Sequence, residues 1–217
     1  MKKGEFIELE YTGRVADTKE AFDTTSEAIA KKEGIFSPKT KYGDMIVVLG
    51  EGYLIPGLEK RLEGQEVGKY SFEIPDVEAF GKKEASNLKL IPANAFKQDK
   101  IRPFPGLQVN VDGSIGVIKT VSGGRIIVDF NHPLSSRDVH YDVHVKRIVK
   151  DKKEQIQSMF NLFHLPVEEI IVENNDKDAI IKTKVKFPAQ LTGPLTDDLK
   201  RLIGLKEVTF KTTNETK

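Results

Sequence analysis

The chain of 217 residues sets 34 lysines and arginines against 33 aspartates and glutamates, so no overall field selects nucleic acid or an anionic membrane surface. It has no cysteine, which excludes disulfide staples, thiolate metal sites and a cysteine nucleophile, and makes a reducing, cytoplasmic compartment the expectation. The start, Met-Lys-Lys-Gly-Glu-Phe, carries no apolar signal region, and no run approaches the roughly 18 apolar residues of a membrane span, so no membrane partner is expected.

Ile7, Leu9 and Tyr11 alternate with Glu8 and Glu10, the pattern of a strand with one wet face. Thr12-Gly13 reads as a turn, with Val15 starting a return. Phe22-Asp23-Thr24-Thr25 reads as a strand end, with Asp23 or Thr25 placed to cap a helix over Ser26 to Lys32. A polar excursion to Gly43 matches no motif. Met45 to Leu49 is a short buried-strand signal, followed by the turn Gly50-Glu51-Gly52. Pro56 then suits the first position of a short helix in which Leu54, Leu58 and Leu62 recur at i,i+4, and Gly64 ends it. One apolar stripe on such a helix requires a sheet to lie on.

Tyr70, Phe72 and Ile74 form a further half-wet strand that Pro75 stops, before Glu78-Ala79-Phe80-Gly81. Residues 84–128 then read as a small antiparallel β unit inserted at a loop tip. Leu107, Val109 and Val111 alternate, Asp112-Gly113 is a hairpin turn, Ile115 and Val117 resume, and Gly123-Gly124 precedes Ile126 to Val128. Pro92, Pro103 and Pro105 mark irregular lead-in segments. Val139, Tyr141, Val143 and Val145 make a closing strand. His140 and His144 share its wet face, but four strand residues span about 13 Å, too far for one ion, so no metal site is expected. From residue 151 the order becomes helix, strand, strand, helix, strand: a stripe at Ile156, Met159, Phe160 and Phe163, strands at Glu168 to Glu173 and Ile181 to Phe187, a helix capped by Thr196 and closed by Gly204, and a last strand at Val208 and Phe210. Lys182, Lys184 and Lys186 on one strand face read as solvated rather than as a nucleic-acid surface.

The run Gly50-Glu-Gly-Tyr-Leu-Ile-Pro-Gly-Leu-Glu59, with Tyr11-Thr-Gly13, Phe22-Asp23 and Ala79-Phe80-Gly81, resembles the signature of FKBP-type peptidyl-prolyl cis/trans isomerases. The resemblance implies an α+β fold: an antiparallel half-barrel around a short helix. It also implies a prolyl pocket. Tyr11, Phe22, Met45, Leu54, Ile55, Leu58, Phe80 and Tyr141 supply its walls, Asp23 faces the substrate, and the Ile55 N–H holds the substrate carbonyl. Leu58 and Phe80 stand where the family usually has tryptophan and tyrosine. The exit Val128-Asp-Phe-Asn-His-Pro-Leu134 resembles SlyD-like members, whose flap binds unfolded chains, and makes Leu107, Val109, Ile115 and Val117 the expected client surface. No histidine-rich tail is present, so no nickel site and no cofactor are carried over. The last domain resembles that of the long archaeal members.

The expected organisation is residues 1–83 plus 129–150 as the isomerase domain, 84–128 as the flap, and 151–217 as a C-terminal α+β domain, with residues 1–150 folding on their own. The expected partners are unfolded or partly folded proteins with X-Pro bonds, and a second copy of the chain through the C-terminal domain. Two other readings stand beside the enzyme: a non-catalytic chaperone, and an assembly module.

Overall fold

The computed structural model describes residues 1–98 and 102–213; residues 99–101 of the expected flap and 214–217 of the expected C-terminal domain lie outside the described residues. The first half of the chain forms β1 (Phe6–Val15), β2 (Ala21–Thr24), α1 (Glu27–Lys32), β3 (Met45–Val48), α2 (Pro56–Leu62) and β4 (Gly68–Ile74). The insert adds β5 (Leu88–Pro92), α3 (Ala93–Gln98), β6 (Gln108–Val111), β7 (Ser114–Ser122) and β8 (Arg125–Asp129). After β9 (Val139–Val149) the chain ends in α4 (Lys152–Leu162), β10 (Glu169–Glu173), β11 (Asp178–Thr183), α5 (Ala189–Ile203) and β12 (Glu207–Thr212).

The first sheet has β1 and β9 at its centre, antiparallel from Phe6↔Val149 to Val15↔Val139. β4 flanks β9, while β3 and β2 share the free edge of β1, β3 along Phe6 to Leu9 and β2 along Thr12 to Arg14. The turn expected at Thr12-Gly13 does not form. Gly13 continues the strand because it is bonded on both sides, opposite Asp23 and Tyr141, and the chain only bends at an irregularity beside Arg14. Helix α2 spans the predicted residues and lays Leu58 and Leu62, both fully buried, on Ile7, Leu9, Val47, Ile74 and Val145. Each such leucine contributes about 1.5–3 kcal/mol by leaving water. Gly57 allows the close approach, since a Cβ there would lie 2.3 Å from Ile74 Cγ2. Ser26, not Asp23 or Thr25, caps α1, because Asp23 is engaged by the Tyr11 hydroxyl and the Thr25 hydroxyl accepts from the Tyr11 N–H.

The insert is a four-stranded sheet in the order β5-β8-β7-β6, covered on one face by α3 through Phe96. Asp112 and Gly113, both at positive φ (51° and 83°), make the expected hairpin turn. Strand β5 and helix α3 replace the expected irregular lead-in. In β5 Leu88 and Leu90 are exposed and only Ile91 packs against the flap core, so its apolar residues show no clear core-facing period. Asn131 ties the two connecting segments together: its carbonyl oxygen accepts from the Glu84 N–H at 2.8 Å and from Asn87 Nδ2 at 3.3 Å, and its Nδ2 donates to Glu84 O at 3.1 Å and to Asp129 Oδ1 at 2.8 Å.

In the C-terminal part, β10 and β12 flank β11, antiparallel and parallel respectively. Two expectations fail there. β11 ends at Thr183, whose hydroxyl turns back to Val185 O, so Val185 and Phe187 are not in the strand. Helix α5 starts at Ala189 behind Pro188 and carries Pro194 and Thr196 inside it, so Thr196 is not its cap. Gly204, at φ 73°, closes the helix as expected. The apolar faces of α4, α5 and this sheet do not form a separate core. They meet Phe6, Val48 and Val149 from the outer face of the first sheet in one continuous cluster.

Candidate active site

Strand alternation places Leu9, Tyr11 and Gly13 of β1 on the same face as Tyr141 and Val143 of β9, toward α2. Tyr11 and Tyr141 lie with ring centroids 5.7 Å apart, tilted at 47°. From β2, Phe22 meets Tyr141 edge-on at 5.8 Å and Phe80 edge-on at 5.7 Å. Edge-to-face pairs suit the ring quadrupole, each worth about 0.5–1.5 kcal/mol beyond its buried area. This packing depends on Gly13, where a Cβ would lie 2.8 Å from Phe22 Cζ and 3.0 Å from Tyr141 Cζ.

One carboxylate stands at the rim. Tyr11 Oη donates to Asp23 Oδ2 at 2.6 Å. Burial pushes the Tyr11 hydroxyl far above its ordinary range and the neighbouring Asp23 charge adds to this; burial and Asp23 do the same to Tyr141. Both phenols therefore stay protonated, and exposed Asp23 accepts from Tyr11 at the rim. The floor is fully buried Leu58, with half-buried Met45, Leu54 and Ile55 beside it. Ile55 caps α2 with its backbone alone ahead of Pro56, and among the described residues its N–H has no acceptor. Eight of the nine residues expected to form the pocket thus lie in or against one cluster, and the ninth, exposed Asp23, is tied to it through the Tyr11 hydroxyl.

The structure adds residues that the sequence did not single out. The His132 ring stacks on Phe80, centroids 4.6 Å apart and planes 3° from parallel. Leu134 N–H donates to its Nδ1 at 3.2 Å, which fixes the ring and leaves Nε2 to carry the proton. Ser135 Oγ donates to Phe80 O at 3.1 Å and holds the backbone of that residue. Gly13 was legible only as part of a motif, and its role is steric.

The flap residues divide. The register sets Val109 opposite Gly116, facing α3, and Ile115 opposite Asn110, facing away. Val109 is 5% exposed and belongs to the flap core with Leu107 packed against it, whereas Ile115 is 62% exposed. Val109 and Leu107 are thus corrected to core positions. Ile115 and half-buried Val117 share the outward face with exposed Leu88 and Leu90 and half-buried Ile127.

The outer face of the first sheet holds no comparable site. Ser71, His140 and Asp142 meet there, but Ser71 Oγ donates to Asp142 at 2.8 Å and both crowd His140 Nε2, at 2.9 and 3.2 Å. A hydrolytic triad needs its carboxylate on Nδ1, and here Nδ1 is buried without a partner. His144 pairs with Glu10 instead, at 3.3 Å. A groove of about 470 Å³ is lined by Lys69, Ser71, Asp142 and His144 together with Tyr11 and Tyr70. Among the described residues no helix is long and apolar enough to cross a membrane.

Residues 1–98 match the FKBP-type peptidyl-prolyl cis-trans isomerase family, and residues 89–134 match the FKBP26 IF domain. The chain is 28% identical over 155 residues to the short-type peptidyl-prolyl cis-trans isomerase of Methanocaldococcus jannaschii, covering 71% of this chain and 98% of that protein. It is 38% identical over 106 residues to the FKBP-type 16 kDa peptidyl-prolyl cis-trans isomerase of Escherichia coli, 46% of this chain and 70% of that one. To the FKBP-type peptidyl-prolyl cis-trans isomerase SlyD of Treponema pallidum it is 29% identical over 151 residues, 65% of this chain and 74% of that protein.

Proposed function

The chain belongs to the FKBP-type peptidyl-prolyl cis-trans isomerase family, and on that premise we propose that its aromatic cage turns X-Pro bonds of unfolded proteins held by the insert. The observation that supports the reading is the convergence of Tyr11, Phe22, Phe80 and Tyr141 over Leu58, with Asp23 bonded to Tyr11 at the rim. Rotation of an X-Pro bond breaks amide resonance against a barrier of ~18–20 kcal/mol. Lowering it by ~4–6 kcal/mol raises the rate about 10³–10⁴-fold. A dry apolar cage favours the twisted amide, whose charge separation is diminished, over the planar one that water solvates better. No nucleophile or proton relay is required. In this reading the Ile55 N–H holds the substrate carbonyl, and Asp23, kept in place by Tyr11, faces the polypeptide.

The insert supplies a second surface. Leu88, Leu90 and Ile115 on the outward sheet face offer apolar contact to an extended client, and a tethered surface raises the client's effective concentration near the cage, about 10²-fold or more.

The test uses two substrates on the full chain. A protease-coupled tetrapeptide assay should show catalysis in the wild type and a loss of about tenfold or more in Asp23→Ala. Leu90→Ser with Ile115→Ser should leave the tetrapeptide rate within about twofold while slowing a proline-limited refolding reaction by at least about tenfold. A folded wild type with no catalysed rate refutes the enzyme reading in favour of a chaperone. Equal losses on both substrates refute the division of work between cage and insert.

A further inference from the structure

We propose that the C-terminal domain braces the loop that presents the substrate-binding amide, so that Glu51, Arg201 and Tyr53 are positioning residues for isomerisation. The inference rests on the reading of Ile55 as the residue that holds the substrate carbonyl.

The loop from Gly50 to Ile55 joins β3 to α2, and Gly50 and Gly52 both take positive φ, 88° and 77°. Glycine at such positions removes the side chain that would otherwise restrict the backbone, so the loop's shape must be imposed by its contacts. They come from two sides. From the isomerase side, Glu59 Oε1 accepts from the Gly52 N–H at 3.0 Å and the Leu54 N–H at 3.4 Å. From the C-terminal side, Arg201, in the last turn of α5, donates through both terminal nitrogens to the two oxygens of Glu51, each at 2.7 Å. Asp198, three residues earlier on that helix, holds Arg201 Nη2 at 2.8 Å, so the fork is oriented before it meets Glu51. Tyr53 packs against both the isomerase core and the C-terminal core, with its hydroxyl 3.9 Å from Met159 Sδ.

Successive residues thus point in alternate directions. Glu51 and Tyr53 reach to the C-terminal domain, the amides of Gly52 and Leu54 reach to Glu59, and Ile55 follows at the cage. A bidentate arginine–carboxylate pair adds geometric specificity to its energy. Two residues of the brace, Glu51 and Arg201, are partly exposed, so the pair matters less as glue than as a constraint on direction. If it were glue alone, breaking it would change the melting temperature and leave a small peptide's turnover untouched.

The experiment compares full-length wild type with Glu51→Gln, Arg201→Gln and the charge-exchanged protein carrying Glu51→Arg with Arg201→Glu and with Asp198→Asn, which removes the carboxylate that would repel the new one. Tetrapeptide kcat/KM, thermal unfolding and amide hydrogen exchange at Gly52 and Leu54 are measured on each. Each single variant should lose about fivefold in kcat/KM, the upper range for an ion pair of this exposure, with faster exchange at Gly52 and Leu54, whose amides Glu59 holds, and the exchanged protein should recover both. Should a single variant melt early, the exchanged protein must still show wild-type rate and exchange. Single variants at wild-type kcat/KM, or an exchanged protein as slow as its parents, overturn the brace while leaving the cage reading intact. A folded wild type without catalysis overturns the cage reading and the brace with it.

Discussion

Gly13→Ala is the sharpest test of how the cage is built. Gly13 has no left-handed φ, so alanine there meets no backbone strain and the whole effect is steric. The new Cβ would stand 2.8 Å from Phe22 Cζ, 3.0 Å from Phe22 Cε2 and 3.0 Å from Tyr141 Cζ. Carbon atoms settle at about 3.5–4.0 Å, so both rings must retreat by roughly 0.5–1 Å. Neither can do so freely: Tyr141 is 4% exposed, and Phe22 is packed edge-on against Tyr141 and Phe80. Overpacking of this kind costs about 1–3 kcal/mol of stability. A pocket wall displaced by about 1 Å costs about 10–100-fold in rate. Thermal unfolding measures the first and a tetrapeptide assay, run well below the transition, measures the second. Adding Phe22→Leu should relieve the clash and return about 0.5 kcal/mol or more of stability without restoring turnover, because the ring itself is missing. Gly13→Ala with wild-type stability and rate would refute the claim that Phe22 and Tyr141 meet across this residue.

Two further outcomes are expected. Truncation after Lys150 exposes Phe6, Val48 and Val149, which are 1%, 0% and 1% exposed in the full chain. At about 1.5–3 kcal/mol each this is a loss of roughly 5–9 kcal/mol, comparable to a domain's whole stability. The shortened chain should therefore aggregate or unfold, as sedimentation and circular dichroism would show; a folded monomer would mean that the shared core is not needed. The second concerns acid. Burial works against the Asp129 carboxylate, but the Asn131 donors, with Lys83 and Lys119 nearby, outweigh it and hold the group below its ordinary 3.8. A lowered folded value means that its contribution is present above pH 3.8 and is lost as pH falls through the lower folded value. Amide exchange at Glu84 and Asn131 should therefore rise in that acid window, and Asp129→Asn should show the same rise at neutral pH. Unchanged exchange in both would remove Asp129 from the flap anchor.

Local signals read well from the sequence because they depend on neighbours in the chain. The Pro56 start and Leu58–Leu62 spacing located α2, Asp112-Gly113 located a hairpin, and the joint occurrence of Tyr11, Phe22, Leu54, Ile55, Leu58 and Tyr141 marked residues that the structure gathers into one cluster, with Asp23 bonded to it through Tyr11. Capping and strand ends were less legible, since Ser26 could be chosen over Asp23 only once Asp23 was seen to be bonded to Tyr11 across the ladder.

What the sequence alone determined was the period of most segments, while the candidate cage residues came from the family resemblance. Tertiary structure decided which partner covers each face. Alternation makes Ile7, Leu9 and Tyr11 one face of β1 but does not say that Phe6, on the other, is covered by α4 and α5 rather than by water. Likewise both strands of the β6–β7 hairpin alternate, yet only their register turned Val109 inward opposite Gly116 and Ile115 outward opposite Asn110. A period of two is a property of one strand, whereas burial is a property of the pair of surfaces that meet, and for Phe6 the covering residues lie about 150 positions away, from Ile156 onward.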